Sequence, residues 1–176
     1  MNQHDDDALF GPDPPRRRVR ALAVLALACA LPVRAGDLAG PEMGGFSQLA
    51  SIEQAGAMNS ASIDQLGFNQ GARLLQDGFG NRLDLVQGGS GNRVEASQLG
   101  SGNSAVVTQS GQDHQLILAQ RGENNLAEIA QHGAGRVALV EQFGNDNRVT
   151  LVQGPSSSNI ALRQYGDGNV ASLIQF

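Results

Sequence analysis

Glutamine recurs every eleven residues, twelve times in succession, without an insertion or a deletion. The series comprises Gln54, Gln65, Gln76, Gln87, Gln98, Gln109, Gln120, Gln131, Gln142, Gln153, Gln164 and Gln175. An odd period does not fit one long strand, because side chains along a strand alternate with a period of two. It predicts a short strand and a tight turn, repeated so that equivalent side chains stack in columns. The chain is therefore expected to form layers of β-strands.

The turns show that the true repeating unit has 22 residues. After every second glutamine the turn has the sequence Gly-x-x-Asn, and glycine at a fixed place after a strand is typical of positive φ. These strict turns contain Gly56, Gly78, Gly100, Gly122, Gly144 and Gly166, with Asn59, Asn81, Asn103, Asn125, Asn147 and Asn169. The intervening, loose turns carry Gln48, Gln70, Asn92, His114, Arg136 and Ser158 at the asparagine position. Six units of strand, strict turn, strand and loose turn therefore begin near 48, 70, 92, 114, 136 and 158.

The pattern between the turns indicates strands with one buried face. Seven and nine residues after each glutamine the chain is always apolar, as at Ala105 and Val107. These positions, the asparagine and the next glutamine share one parity, so in a strand they point the same way. Charged residues such as Arg93 and Glu95 fall on the opposite parity. We therefore predict an all-β fold, a flat two-sheet β-solenoid (cross-β) of about six 22-residue strand-turn-strand repeats.

The amino-terminal region has the features of a secretory signal peptide. A basic segment ending at Arg20 precedes the apolar stretch Ala21–Leu31, and Val33 and Ala35 place small residues at a cleavage site. We expect cleavage after Ala35, with an uncleaved membrane anchor as the alternative. The predicted segments are an N-terminal extension and signal peptide (1–35), a flexible mature N-terminus (36–47) and the repeat domain (48–176).

Composition excludes several classes of function. After residue 35 the chain contains no cysteine and no lysine, and it has 7 arginines against 13 acidic residues. Disulfides and thiol chemistry are therefore not expected, and nucleic acid is disfavoured as a partner. His114 and His132 are the only histidines of this region, and no spacing typical of metal ligands occurs. We predict no catalytic residue, no cofactor and no metal site, and hence no enzyme.

The 22-residue unit resembles the curlin repeat, the building block of bacterial curli amyloid. Its pattern occurs here as Asn92-x5-Gln98-x-Gly100-x2-Asn103-x-Ala105-x3-Gln109, and the resemblance covers all six units. It implies a secreted structural subunit of extracellular, cell-surface curli fibres used in adhesion and biofilm matrix. The uninterrupted eleven-residue spacing is more similar to the minor subunit, which nucleates the fibre, than to the major subunit, which is the alternative. The partners implied are further copies of the chain, a major curlin-like subunit and the outer-membrane secretion machinery.

Stacked layers explain how such a chain would assemble. The glutamine and asparagine columns are expected to form ladders of amide hydrogen bonds, and the two end coils have no evident cap. Further chains would then add to the open edges by β-augmentation. An alternative from another class is a monomeric secreted β-solenoid that binds a ligand. It would need flat outward ladders of threonine or aromatic residues, whereas Thr108 and Thr150 are the only threonines.

Overall fold

The structure, a computed structural model, describes residues 18–25, 33–36 and 48–176. These residues form strands joined by short turns, and among them no helix is long and apolar enough to cross a bilayer. The strands are β1 (Arg18–Leu25), β2 (Val33–Gly36), β3 (Leu49–Ala57), β4 (Asn59–Phe68), β5 (Gly71–Phe79), β6 (Arg82–Ser90), β7 (Arg93–Ser101), β8 (Ser104–Gln112), β9 (Gln115–Glu123), β10 (Leu126–Ala134), β11 (Val137–Phe143), β12 (Arg148–Gln153), β13 (Ile160–Tyr165) and β14 (Val170–Gln175).

The strands of the repeat domain alternate between two sheets. One sheet, here called sheet A, has the order β1-β4-β6-β8-β10-β12-β14, and the other, sheet B, has the order β13-β11-β9-β7-β5-β3-β2. From β3 onward all pairs are parallel, and every residue lies beside the residue 22 positions away, as Gln76 lies beside Gln98. Each coil therefore contributes one strand to each sheet. The predicted two-sheet solenoid of six coils is confirmed.

The core lies between the two sheets and consists of the predicted apolar columns. Ala105 and Val107 are fully buried, as are Leu83 and Val140, and one continuous cluster runs from Ala50 to Leu151. Along β7 and β8, buried residues alternate with exposed or half-buried ones. The predicted inward parity is therefore confirmed, because a strand places successive side chains on opposite faces.

The strict turns bring backbone so close to backbone that only glycine fits. Gly100 has a φ of +116°, and a Cβ atom there would lie 2.1 Å from the carbonyl oxygen of Gly122 in the next coil. Gly80, in the preceding strict turn, also has positive φ, but apart from Gly80 and its two chain neighbours no described residue has a heavy atom within 4 Å of its hypothetical Cβ. The first glycine of the turn therefore permits the layers to stack, whereas the second is needed only for the positive φ at its own position.

The two ends of the stack differ, which the sequence did not indicate. At the N-terminal end β1 pairs with β4, and β2 pairs with β3, in both cases antiparallel. Arg20 also forms an ion pair with Asp64 at 3.5 Å. β1 and β2 therefore cover the N-terminal end in the full chain, whereas the expectation of uncovered ends concerned the chain after cleavage and stays a prediction. At the C-terminal end, among the described strands, β13 and β14 each pair on one side only. Because β1 and β2 fall almost wholly within 1–35, cleavage after Ala35, which remains a prediction, would remove both covers.

Replacement of Gly100 by alanine tests the close approach of neighbouring coils. Both Gly100→Ala and the matched control Gly80→Ala place a side chain at positive φ, but only the former also forces Cβ against a backbone oxygen. We expect Gly100→Ala to lower the free energy of unfolding by about 1–3 kcal/mol more than the control does. Denaturant unfolding followed by circular dichroism measures the difference, and equal losses would contradict the stacking geometry.

Candidate functional site

The glutamine side chains form two columns of hydrogen-bonded amides inside the stack. Gln54, Gln76, Gln98, Gln120, Gln142 and Gln164 form the column of sheet B, and Gln65, Gln87, Gln109, Gln131 and Gln153 form that of sheet A. In both columns Nε2 of every glutamine before the last, Gln164 or Gln153, donates to Oε1 of the glutamine 22 residues later, at 2.6–3.0 Å. Each link therefore connects two consecutive coils.

The same amides also join the two sheets. Nε2 of Gln98, in β7, donates to the main-chain oxygen of Arg82, in β6, at 2.9 Å. Gln120 repeats this bond to Ser104 at 3.1 Å. A main-chain carbonyl can only accept, so this second bond determines which end of the amide carries the nitrogen. A buried amide without partners is unfavourable, so these side chains stabilise the fold only in this register.

The asparagines of the strict turns form a third column, Asn59, Asn81, Asn103, Asn125, Asn147 and Asn169. Oδ1 of each accepts hydrogen bonds from the next asparagine, from its backbone N–H at 3.0–3.1 Å and from its Nδ2 at 2.9–3.1 Å. Nδ2 of Asn103 also donates to the main-chain oxygen of Gly122 at 2.9 Å. The turn is thus bonded to the coils on both sides.

The column of sheet A is interrupted before its last member. Nε2 of Gln153 donates to the main-chain oxygen of Ser158 at 2.8 Å instead of to Gln175, whose Oε1 is buried without a partner. The intervening turn contains Pro155 where the other turns have glycine. Gln175, predicted as part of the ladder, therefore lies in the column position without the ladder bond.

The polar residues of the loose turns form a fourth column, to which the sequence assigned no hydrogen-bonding role. Nε2 of Gln70 donates to the oxygens of Leu66 and Gly89 at 2.9 and 3.0 Å. Asn92 is fully buried and makes the equivalent pair of bonds, at 3.0 and 3.2 Å. Their position five residues after a glutamine, equivalent to Asn103, was the signal in the sequence. Because the residue type varies along this column, the sequence did not reveal that Gln70 and Asn92 bond to equivalent main-chain oxygens.

His114 continues this column in a form that depends on protonation. Its ring is fully buried, Nδ1 accepts from the backbone N–H of Arg136 at 3.2 Å, and Nε2 faces the oxygen of Ser110 at 3.2 Å. The imidazole is therefore neutral with its proton on Nε2. Burial lowers the pKa of His114 from its usual 6.5, and the positive charge of Arg136 lowers this pKa further. Protonation would place a second N–H against the N–H of Arg136.

The site in the described part of the chain consists of hydrogen-bonded amide columns. In residues 18–25, 33–36 and 48–176 no three His, Cys, Asp or Glu side chains lie close enough together to hold a metal ion. What the columns supply is a directional set of amide donors and acceptors that repeats once per coil.

Comparison with known protein families agrees with this geometry. The sequence model described as Curlin associated repeat matches three successive segments, residues 56–89, 89–122 and 122–154. The chain belongs to the curlin family. A search of curated proteins and a search of solved structures each found no significant match. Curlin repeats identify a curli-type structural subunit, a class that assembles into extracellular fibres. The matched segments end at Gly154, immediately before the turn in which Pro155 replaces glycine.

Removal of one column amide tests the difference between the inner and outer faces. Gln98→Ala would deprive Gln76, Gln120 and the oxygen of Arg82 of a buried partner. We expect it, and likewise Asn103→Ala, to lower the free energy of unfolding by about 1–3 kcal/mol and to slow seeded assembly. Arg93→Ala on the exposed face is the control and should change little. Unfolding and seeded growth measure both effects, and similar losses in all three variants would refute the assignment of faces.

Acidification tests the role of His114. Because the folded state holds its pKa below the unfolded value of 6.5, the unfolded chain binds the proton more readily. Stability should therefore be highest above about pH 6.5 and fall as the pH decreases from there through the lower folded-state pKa. His114→Asn should remove this dependence, whereas the exposed His132→Asn should retain it. Denaturation midpoints over this pH range measure the effect, and an unchanged slope in His114→Asn would contradict it.

Proposed function

We propose that this chain is secreted and acts in the extracellular, cell-surface assembly of a curli-type amyloid fibre, where it nucleates or templates polymerisation for adhesion and biofilm matrix. The role is that of the minor subunit. Its partners are further copies of itself and a more abundant, major curlin-like subunit, and an outer-membrane pore exports it.

The observation that carries this proposal is the open C-terminal edge. β13 and β14 each present one row of main-chain N–H and C=O groups with which no other strand of residues 18–25, 33–36 and 48–176 pairs. Leu162 and Leu173 occupy core columns there but are only partly buried, because no layer covers them. An edge of this kind binds another extended chain by β-augmentation. The coil that would cover it has the hydrogen-bonding pattern of the coils already present.

Nucleation is supported by the fact that this edge is already folded before a partner binds. The strands of the last coil are already paired along their inner side over six residues each, β11 with β13 and β12 with β14. A chain that adds to this edge does not have to form the first layer, whose loop-closure entropy opposes spontaneous assembly. The uninterrupted eleven-residue spacing preserves one register over the whole stack. Both features favour a template.

Seeding of a major curlin-like subunit tests the role. Substoichiometric amounts of this chain should abolish the lag phase of the major subunit in a thioflavin assay. Gln98→Ala should do so less effectively and Arg93→Ala as well as the unchanged chain. A lag phase that stays the same while the final fibre mass increases would refute nucleation and favour the major-subunit role. A chain that stays soluble and monomeric at high concentration would refute fibre formation altogether.

A further inference from the structure

We propose that two filaments of this chain, each a single stack of coils, pair side by side through the outer face of sheet A. The inference rests on the proposed function, because the surface is repeated along a filament only when the chain polymerises. The partner that it assigns to this face is a second copy of the chain in the neighbouring filament. Its basis is an uncharged stripe along the outside of sheet A.

The stripe lies on the half of sheet A nearer to the loose turns. The sheet A stripe consists of the residues one position before the column glutamines, which lie side by side in consecutive strands: Val86, Thr108, Ala130, Val152 and Ile174. The first coil has Asp64 at this position, so the stripe begins at the second coil. Val86 and Ile174 are 51% and 55% exposed. Rows of exposed β-branched side chains on a sheet are suited to packing against another sheet.

The equivalent column on sheet B carries charges at both of its ends. It consists of Glu53, Leu75, Ser97, Ala119, Glu141 and Arg163. Arg163 and Glu141 form an ion pair at 2.6 Å. A charged side chain enclosed between two sheets loses its water, which is unfavourable unless a partner replaces that water. Sheet A is therefore the face that a second sheet covers at the lower desolvation cost.

The two columns that flank the sheet A stripe differ in charge. The flank nearer to the strict turns contains Asp84 and Glu128 and no basic residue, since its members are Ser62, Asp84, Val106, Glu128, Thr150 and Ser172. The flank nearer to the loose turns contains His132. In β10, Glu128 and His132 therefore lie on either side of Ala130 and on the same face.

A two-fold axis along the fibre brings these unlike flanks together. The two stripes then face each other, and in each layer the strict-turn flank of one copy lies against the loose-turn flank of the other. Glu128 lies opposite His132 of the other copy, whose imidazole N–H can donate to the carboxylate. Asp84 is already paired with Arg82 of its own chain, at 2.7 Å.

A two-fold axis across the fibre is less favourable. It would place the strict-turn flank of one copy against the same flank of the other, reversed in direction. Glu128 would then face either a carboxylate or an uncharged side chain, because this flank contains no cation. Like charges placed opposite each other at an interface are unfavourable. The two filaments therefore run in the same direction.

The size of the surface implies that pairing follows polymerisation. The stripe and its two flanks are about 20 Å wide, and the five coils that contain the stripe extend about 24 Å along the fibre. Two copies therefore bury roughly 1,000 Å² in total, less than the ~1,200 Å² at which specific interfaces begin. Between two filaments the same contact recurs with every chain, and repeated contacts strengthen one another as in multivalent binding. Single chains should therefore stay apart, whereas filaments pair.

Mass per unit length distinguishes paired from single filaments, and two alanines provide a matched comparison. Ala130, in the stripe, and Ala119, on sheet B, both precede a column glutamine and are both half-buried. Ala130→Lys places a charge between the paired sheets, whereas Ala119→Lys adds one to a face that already carries charges. The measurement uses scanning transmission electron microscopy of unstained fibres from the chain that begins at Gly36.

We expect two chains per roughly 29 Å of fibre for the unchanged chain and for Ala119→Lys, and one chain for Ala130→Lys. One chain in all three fibres, or equal mass for the two lysine variants, would overturn the pairing. Failure of the unchanged chain to form fibres that bind thioflavin would instead refute the proposed function.

A thiol cross-link tests the same contact without an added charge. The chain that begins at Gly36 contains no cysteine, so Ala130→Cys and Ala119→Cys each introduce a single thiol. Along one filament, successive copies of position 130 would lie about 29 Å apart, beyond the reach of a short bismaleimide. The two-fold axis places position 130 of one filament beside that of the other. We expect cross-linked dimers in fibres of Ala130→Cys and far fewer in fibres of Ala119→Cys. Equal yields, or no dimers from Ala130→Cys, would contradict the pairing even if Ala130→Lys forms no fibres.

Discussion

The buried amide hydrogen bond between consecutive coils is the interaction on which the rest of this structure depends. Ala105 and Val107 could pack in several related registers, because apolar contacts have little directional preference. Gln98 has no such freedom: its Nε2 needs both the oxygen of Arg82 and the Oε1 of Gln120. A shift by one residue would expose the core and leave these amides without partners. The eleven-residue spacing is thus maintained by hydrogen bonding, and the apolar columns follow from it.

The same interaction accounts for both folding and assembly. Each inner coil is bonded to a coil on either side, so the end coil is a folded layer that lacks half of its partners. Leu162 and Leu173 are only partly buried because this coil is packed on one side, and the outer edges of β13 and β14 lack the inter-coil hydrogen bonds that the inner coils make. In the proposed fibre a second copy would supply both. Contacts within a chain and contacts between chains would then be of the same kind, and no separate binding site would be needed for polymerisation.

Much of this arrangement was predictable from the sequence, and the remainder has specific physical reasons. The eleven-residue period and the 22-residue unit follow from residue types that recur at fixed positions in the sequence. The same recurrence predicts that Ala105 faces inward and Arg93 outward. The interruption between Gln153 and Gln175 was not predictable, because it depends on where the turn at Pro155 places the oxygen of Ser158. The bonds of Gln70, Asn92 and His114 were hidden by differences in residue type. The orientation of each side-chain amide depends on which main-chain oxygen lies within hydrogen-bonding distance of its nitrogen. Only the folded structure determines that oxygen.

The mass of the fibre per unit length tests the central claim most directly, that one chain supplies six stacked layers. Layers separated by about 4.8 Å place one chain in roughly 29 Å of fibre if coils 22 residues apart lie above each other. Scanning transmission electron microscopy of unstained fibres measures this quantity. The account predicts the mass of one chain per roughly 29 Å for a single filament. One chain per layer, about six times as much mass, would mean that identical residues of different chains stack, and would contradict it.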